Sequence, residues 1–297
     1  MSHPTPLHFT SLAPLHMVDD VVQTFIVAAR KLGYEVSSER ASLRADAINI
    51  VCFAHQLPPE SLLEIRTNSI VVNFEQLVSG SQAHTESYLS LLRAHYVWDY
   101  SKTNLAHYAK FGIPNGHHVP LGYEEEAANT LRPDDVLPDA LQDIDVLFFG
   151  SLSPRRERVI LAMKKKGLNI VCNDGSLWDN VYRDELIRRS KLVLNMHYFD
   201  NSRIVEIPRL SMLFRQRKAV LCELYGDSEI YPELRRVVAG AAYDNLADMA
   251  VLLAGAPQLR QRLEHLGFET FSRRSQTAIL GPALDDFFAW QSTILGA

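Results

Sequence analysis

Cysteine is scarce in this chain. Its three, Cys52, Cys172 and Cys222, sit at or near the ends of apolar runs and far from one another. That spacing carries no metal pattern, and buried free thiols fit a reducing compartment. Long apolar stretches are missing too, since none approaches the roughly 20 residues of a membrane span. The opening Met-Ser-His-Pro-Thr-Pro has neither the basic head nor the apolar core of a signal peptide. A cytoplasmic location is therefore expected. No long basic amphipathic helix is present, so membrane contact is expected to be transient at most. There is no glycine-rich phosphate loop ending in Lys-Ser/Thr, and no Gly-X-Ser-X-Gly elbow of a hydrolase. With a net charge of −5, no nucleic-acid partner is expected.

What is present is the composition of a folded globular protein. The 297 residues are 47% hydrophobic and 22% charged, which leaves room for two domains with a core each. Short β-rich apolar runs alternate with helical patterns, the signature of βαβ units and parallel sheets. Strands are expected at Leu7–Leu12, Ala47–Phe53, Ser69–Phe74, His95–Asp99 and His117–Pro120. Helices are expected at Val18–Leu32, Pro59–Arg66, Thr85–Arg93 and Ser101–Phe111. A stretch rich in acids and proline runs from Glu124 to Asp143 and reads as a linker. The rhythm resumes with strands at Ile144–Phe149, Leu168–Cys172, Lys191–Asn195 and Lys218–Cys222. Helices over Pro154–Lys166, Leu177–Arg189, Leu246–Ala254, Gln258–Phe268 and Ser275–Leu295 complete it. The expectation is an α/β protein of two Rossmann-like, doubly wound domains facing a cleft. Residues 1–123 are expected as the first domain, 124–143 as the linker and 144–274 as the second domain. Residues 275–297 are expected as a helix packing back across the junction.

Charge is unevenly spread. Between Gly150 and Lys218 there are fifteen Lys and Arg against seven Asp and Glu, either a solvated helix surface or an anion-binding face. Gly150-Ser151-Leu-Ser-Pro-Arg155-Arg156 reads as a strand-turn-helix entry, with Ser153 as N-cap and Pro154 as first helical residue. Arg155 and Arg156 then oppose the helix dipole in its first turn. They either meet a compensating anion, or point to solvent or to an acid such as Glu157. Arg203 and Glu206 follow the strand that ends at Asn195. An arginine can fork onto phosphate, and a carboxylate can take both hydroxyls of a ribose. The bland alternative is an i,i+3 ion pair on a helix surface. Pro208 either begins that helix, leaving 203–206 as a loop, or kinks it.

Phe148-Phe-Gly-Ser-Leu-Ser-Pro-Arg-Arg156, Leu194-Asn-Met-His-Tyr198, Arg203-Ile-Val-Glu206 and Ala219-Val-Leu-Cys-Glu223 together resemble the donor half of group 1 glycosyltransferases of the GT-B fold. The resemblance spans roughly residues 144 to 255 and is nearest to members of capsule, O-antigen and spore-coat pathways. Val119-Pro-Leu-Gly122 looks like the approach to the family's linker. The resemblance implies sugar transfer from a nucleotide-diphosphate sugar, bound as substrate, with no tightly held cofactor and no metal. The acceptor would be a glycan, a lipid-linked carbohydrate or another hydroxyl compound. By position, Gly150, Ser151 and Arg155 or Arg156 would lie near the diphosphate. Asn195 at the end of its strand and His197 beyond it are donor-binding candidates, His197 for phosphate or sugar; Arg203 would meet phosphate or sugar, and Glu206 the ribose. The departures are specific. Eight positions before Glu206, where many retaining members carry a glutamate, stands Tyr198. Arg217 replaces the small residue before the last strand, and the glycine-rich loop after the first strand is missing. Asp143-Ile144-Asp145 formally matches the metal motif of the other large glycosyltransferase fold, but its place before an apolar strand reads as a solvated strand entry.

Catalysis would draw on the N-terminal half, which holds nine of the eleven histidines. His16 and Asp19 follow the first strand, and either could deprotonate an acceptor hydroxyl in an inverting reaction. Glu75 ends an apolar strand and is a third candidate. Two rivals share the scaffold: a nucleotide-sugar epimerase, and a non-catalytic binding protein.

Overall fold

The structure is a computed structural model that describes residues 5–11, 19–66, 68–81, 83–127, 132–172 and 179–295. The chain divides into two compact units. One comprises residues 1–14, 18–127 and 275–297, the other 15–17 and 128–274.

In the first unit the apolar runs become β1 (Leu7–Ser11), β2 (Val36–Ser38), β3 (Ile48–Cys52), β4 (Ile70–Asn73), β5 (Tyr96–Asp99) and β6 (Gly116–His118). All pair in parallel, in the order β2-β1-β3-β4-β5-β6. Every residue of β1, β3, β4 and β5 is buried, as expected of a parallel sheet covered on both faces. The covering helices are α1 (Asp19–Lys31), α2 (Pro59–Leu62), α3 (Glu86–Ala94) and α4 (Lys102–Phe111). α2 is half the expected length. Beyond it Leu63, Glu64 and Ile65 each donate to the carbonyl three residues back, so the chain continues as a tighter turn.

The second unit holds β7 (Ile144–Phe148), β8 (Ile170–Cys172), β9 (Ser190–Asn195), β10 (Val220–Glu223) and β11 (Ala239–Ala241). They form a parallel sheet in the order β11-β10-β9-β7-β8. Around it lie α5 (Pro154–Lys165), α6 (Asn180–Arg189), α7 (Ile207–Arg215), α8 (Leu246–Ala254) and α9 (Pro257–Ser272). Phe148, Leu194 and Leu221 from the sheet meet Met163 of α5 and Leu253 of α8 in one apolar core.

The last helix, α10 (Gln276–Leu295), belongs to the first unit and packs along α1. Phe287 is fully buried, with its ring 5.2 Å from Tyr96, and Phe288 stacks on Tyr34 at 6.2 Å. Glu124 locks the helix start, accepting from Thr277 N and Oγ1 at 2.7 and 2.6 Å and from Lys31 Nζ at 2.7 Å.

Candidate functional site

Parallel sheets place ligands at the carboxyl ends of their strands, where the chain order reverses direction. In the second unit β7 and β9 are neighbours. The chain returns to β8 on one side of them and to β10 and β11 on the other, so the switch point lies between β7 and β9. Gly150 and Ser151 follow β7, and Asn195 ends β9, with His197 two residues beyond.

Gly150 has φ +135°, a conformation that side chains rarely adopt. Space closes the position as well. A Cβ there would lie 2.9 Å from Arg209 Nη2 and 3.5 Å from Arg156 Nη1. Two guanidinium groups therefore crowd onto the backbone of one glycine.

The two arginines of the first α5 turn have separate surroundings. Ser153 caps the helix by accepting from Arg156 N at 3.3 Å. Arg155 is buried and finds its anions within the protein. It forks onto Glu223 with Nη1–Oε2 at 2.8 Å and Nη2–Oε1 at 2.5 Å, reaches Asp200 at 2.5 Å, and lies over the Tyr243 ring at 4.1 Å. Burial opposes ionisation of Glu223, but the Arg155 hydrogen bonds prevail and hold its carboxyl below the usual range. Arg156 is equally buried but donates only to backbone carbonyls: Met196 at 2.7 Å, Ser151 at 2.8 Å and His197 at 3.3 Å. Among the described residues no carboxylate forms an ion pair with it. Burial first, then the charge of Arg209, push its guanidinium down to about 10, with Glu206 acting in the opposite direction. An added anion beside Arg156 and Arg209 would favour the charged guanidinium and so act against both effects.

Two polar groups border these cations. Asn195 accepts from Arg209 Nη1 at 2.9 Å, while its Nδ2 has no hydrogen-bond partner among the described residues. His197 is 2% exposed, and its Nε2 likewise lacks a partner there. Burial lowers the His197 pKa, against the raising effect of Glu223 and Glu206. A buried polar atom left unmet costs about 1–3 kcal/mol, so two beside a pair of cations indicate a place for a ligand's acceptors.

Glu206 occupies the cap position of α7, and Pro208 stands in the first turn. Residues 203–206 are consequently a loop, tied to Glu229 through Val205 N at 3.0 Å and Arg203 O at 2.7 Å. Arg203 and Glu206 therefore do not share a helix face. Arg203 folds onto its own loop, donating to the carbonyls of Asp200 and Ser202, pairing with Asp227 at 3.3 Å and lying over Tyr225 at 4.4 Å.

In the first unit, Asp19 at the start of α1 pairs with Arg40 at 2.9 Å. His16 lies outside the described residues. Glu75 follows β4, half-exposed, with Oε1 3.5 Å from His55 Nε2. Among the described residues, no three His, Cys, Asp or Glu side chains form a set able to hold a metal. No described helix is long and apolar enough to cross a membrane.

Arg209 and Tyr243 join this cluster without having been singled out in the sequence, and Glu223 was quoted only as the end of a resembling motif, with no role. Arg209 had a signal, because it too is a cation in the first turn of a helix, where the dipole disfavours it.

No family model matches the chain. An uncharacterized protein of Acanthamoeba polyphaga mimivirus, L140, is 26% identical over 204 residues, 68% of this chain and 64% of that protein. The chain thus spans less than two thirds of that relative's length. HepE of Anabaena, solved with UDP and glucose, is similar with a TM-score of 0.59 and 10% identity, over 96% of this chain and 99% of that one. A T4 phage BGT mutant, solved with UDP-glucose, gives a TM-score of 0.57 and 12% identity over 95% and 99%. The fold is GT-B. In GT-B terms, the second sheet is one of the two Rossmann-like halves, and Gly150, Arg156, Asn195, His197 and Arg209 cluster at its switch point.

Proposed function

We propose that the protein transfers a glycosyl group from a nucleoside-diphosphate sugar to a hydroxyl of a glycan, lipid-linked or other acceptor. The observation that carries this reading is the pair Arg156 and Arg209 on Gly150, beside the unmet polar atoms of Asn195 and His197. Two fixed guanidinium groups suit a diphosphate, and Ser151 with the entry to α5 adds a capped helix N-terminus. The GT-B fold supports the reading by analogy of scaffold.

In this reading the donor's diphosphate lies against Gly150, Ser151, Arg156 and Arg209. Asn195 Nδ2 donates to a phosphate oxygen, and His197 meets phosphate or sugar. Glu206 takes the ribose hydroxyls, and Arg203 holds the 200–206 loop close to the donor. Arg155 acts through Glu223, fixing the backbone of His197, whose N–H donates to Glu223 Oε2 at 3.0 Å. As the bond from the sugar's anomeric carbon to the diphosphate oxygen breaks, negative charge grows on the departing nucleotide. Preorganised cations lower the barrier because their orientation is set before the reaction. On the acceptor side, His16, Asp19 and Glu75 are the candidates to take up the hydroxyl proton.

Thermal unfolding of the purified chain with UDP, GDP, dTDP, CMP and their sugar conjugates tests this. A cognate ligand at a hundred times its dissociation constant adds about 2.7 kcal/mol to stability. The shift is expected for wild type and lost in Arg156→Ala, Arg209→Ala and Glu206→Ala. No shift with any nucleotide at millimolar concentration would remove the donor site.

A further inference from the structure

The order β2-β1-β3-β4-β5-β6 puts the switch point of the first sheet between β1 and β3. Beyond β3 the chain does something costly. Phe53 takes the left-handed conformation, φ 60° and ψ 29°, which an aromatic residue rarely adopts. Such strain persists where its surroundings over-determine it, and it gathers at ligand sites. It initiates a short 3-10 turn over Ala54–Gln56. The imidazole of His55 is left 3% exposed, 6.0 Å from the Phe53 ring and edge-on to Tyr88 at 5.8 Å. Burial lowers the His55 pKa to about 4, so the ring that faces Glu75 is neutral.

Glu75 is fixed from the other side. Its N–H donates to Asn73 Oδ1 at 3.2 Å, and its carbonyl accepts from Asn73 Nδ2 at 3.0 Å and Asn104 Nδ2 at 2.8 Å. Asn104 Oδ1 also accepts from Leu77 N at 3.0 Å. Both asparagines are held by Asp99, which is fully buried and also accepts from Ser101 N at 2.8 Å and Tyr108 Oη at 2.6 Å. A buried carboxylate with this many donors thus fixes the backbone around a second carboxylate, whose own side chain is 41% exposed. The backbone that carries the outer group is thereby fixed, as the support of a binding group must be.

Resting on the glycosyltransferase reading, we propose that the Glu75 carboxylate is a hydroxyl-binding group for a carbohydrate, and that His55 positions it. An ionised carboxylate accepts several hydrogen bonds. One comes from His55 Nε2–H, once the present separation of 3.5 Å closes on ligand binding. Others come from hydroxyls of the sugar. The acceptor and the donor's sugar present the same chemistry, so the experiment separates them.

Steady-state transfer from the nucleotide sugar found by thermal shift is measured for wild type, Glu75→Gln, His55→Phe and His55→Gln, alongside binding of the free nucleoside diphosphate. Glu75→Gln is expected to raise the KM of one sugar substrate roughly tenfold to a hundredfold, with nucleotide affinity unchanged. A rise in the acceptor's KM assigns the site to the acceptor, and a rise in the donor's KM assigns it to the donor sugar. His55→Phe fills the space without an N–H and moves the same KM, while His55→Gln restores part of it. Unchanged KM values in Glu75→Gln would overturn the inference and leave the proposed reaction standing, and a fall in kcat alone would make Glu75 the group that takes the hydroxyl proton instead. Absence of nucleotide binding in wild type would instead overturn the reaction, and the inference with it.

Discussion

Asp99 is fully buried, and burial pushes its pKa to about 7 against the hydrogen bonds of Tyr108, Asn73, the Ser101 N–H and Asn104. A carboxyl whose pKa is higher folded than unfolded binds its proton more tightly in the native state, so its contribution to stability falls as pH rises from 3.8 to about 7. Wild type should therefore lose stability relative to Asp99→Asn across that range. Urea unfolding at a series of pH values reads the difference, and a constant gap would show that Asp99 does not titrate there. At this scale the sequence was only partly legible. First-turn cations at 155 and 156 oppose the helix dipole, which left open a ligand anion, solvent or a protein acid. Which of them lacked one could not be read, because Glu223 stands 68 residues from Arg155 and meets it only through parallel crossovers. Asp99 gave no signal at all, since its partners Asn73 and Tyr108 come from separate elements.

Elements with long apolar runs or clear caps were legible. β1, β3, β4, β7, β9 and β10 lie where continuous apolar runs put them, within a residue or two at each end. α5 starts at the proline that follows Ser153. β2 and β11 were not foreseen, being edge strands of three residues whose pattern is too short for a period. α10 shows what an apolar helix face secures. Replacing the fully buried Phe287 with alanine removes contacts to Tyr96, Phe288 and Trp290. The expected cost is about 3–5 kcal/mol. Urea unfolding of Phe287→Ala followed by Trp98 and Trp290 fluorescence would measure it, and a loss below 1 kcal/mol would mean that α10 adds little to its unit.

Across the whole molecule, each unit has its own sheet and its own core, so ligand effects should be regional. Hydrogen exchange with a bound nucleoside diphosphate should slow within residues 150–156 and 195–209, where the switch point of the second sheet lies. Unchanged exchange in both segments at saturating nucleotide would place the ligand elsewhere. The fold class was legible from the alternation of strands and helices; helical periodicity by itself does not say which sheet a helix covers, and α10 has its membership in the first unit, against α1.

That membership bears on how the molecule is made. The strands of the first unit and α1 leave the ribosome before residue 275, yet the helix that covers α1 begins only at Gln276. The unit begun first is thus finished last, while all strands and helices of the other unit are complete once Ser272 has emerged. During synthesis Leu32, Tyr34 and Tyr96 wait without the partners that α10 brings, so the apolar surface made early stays uncovered until the last helix is made.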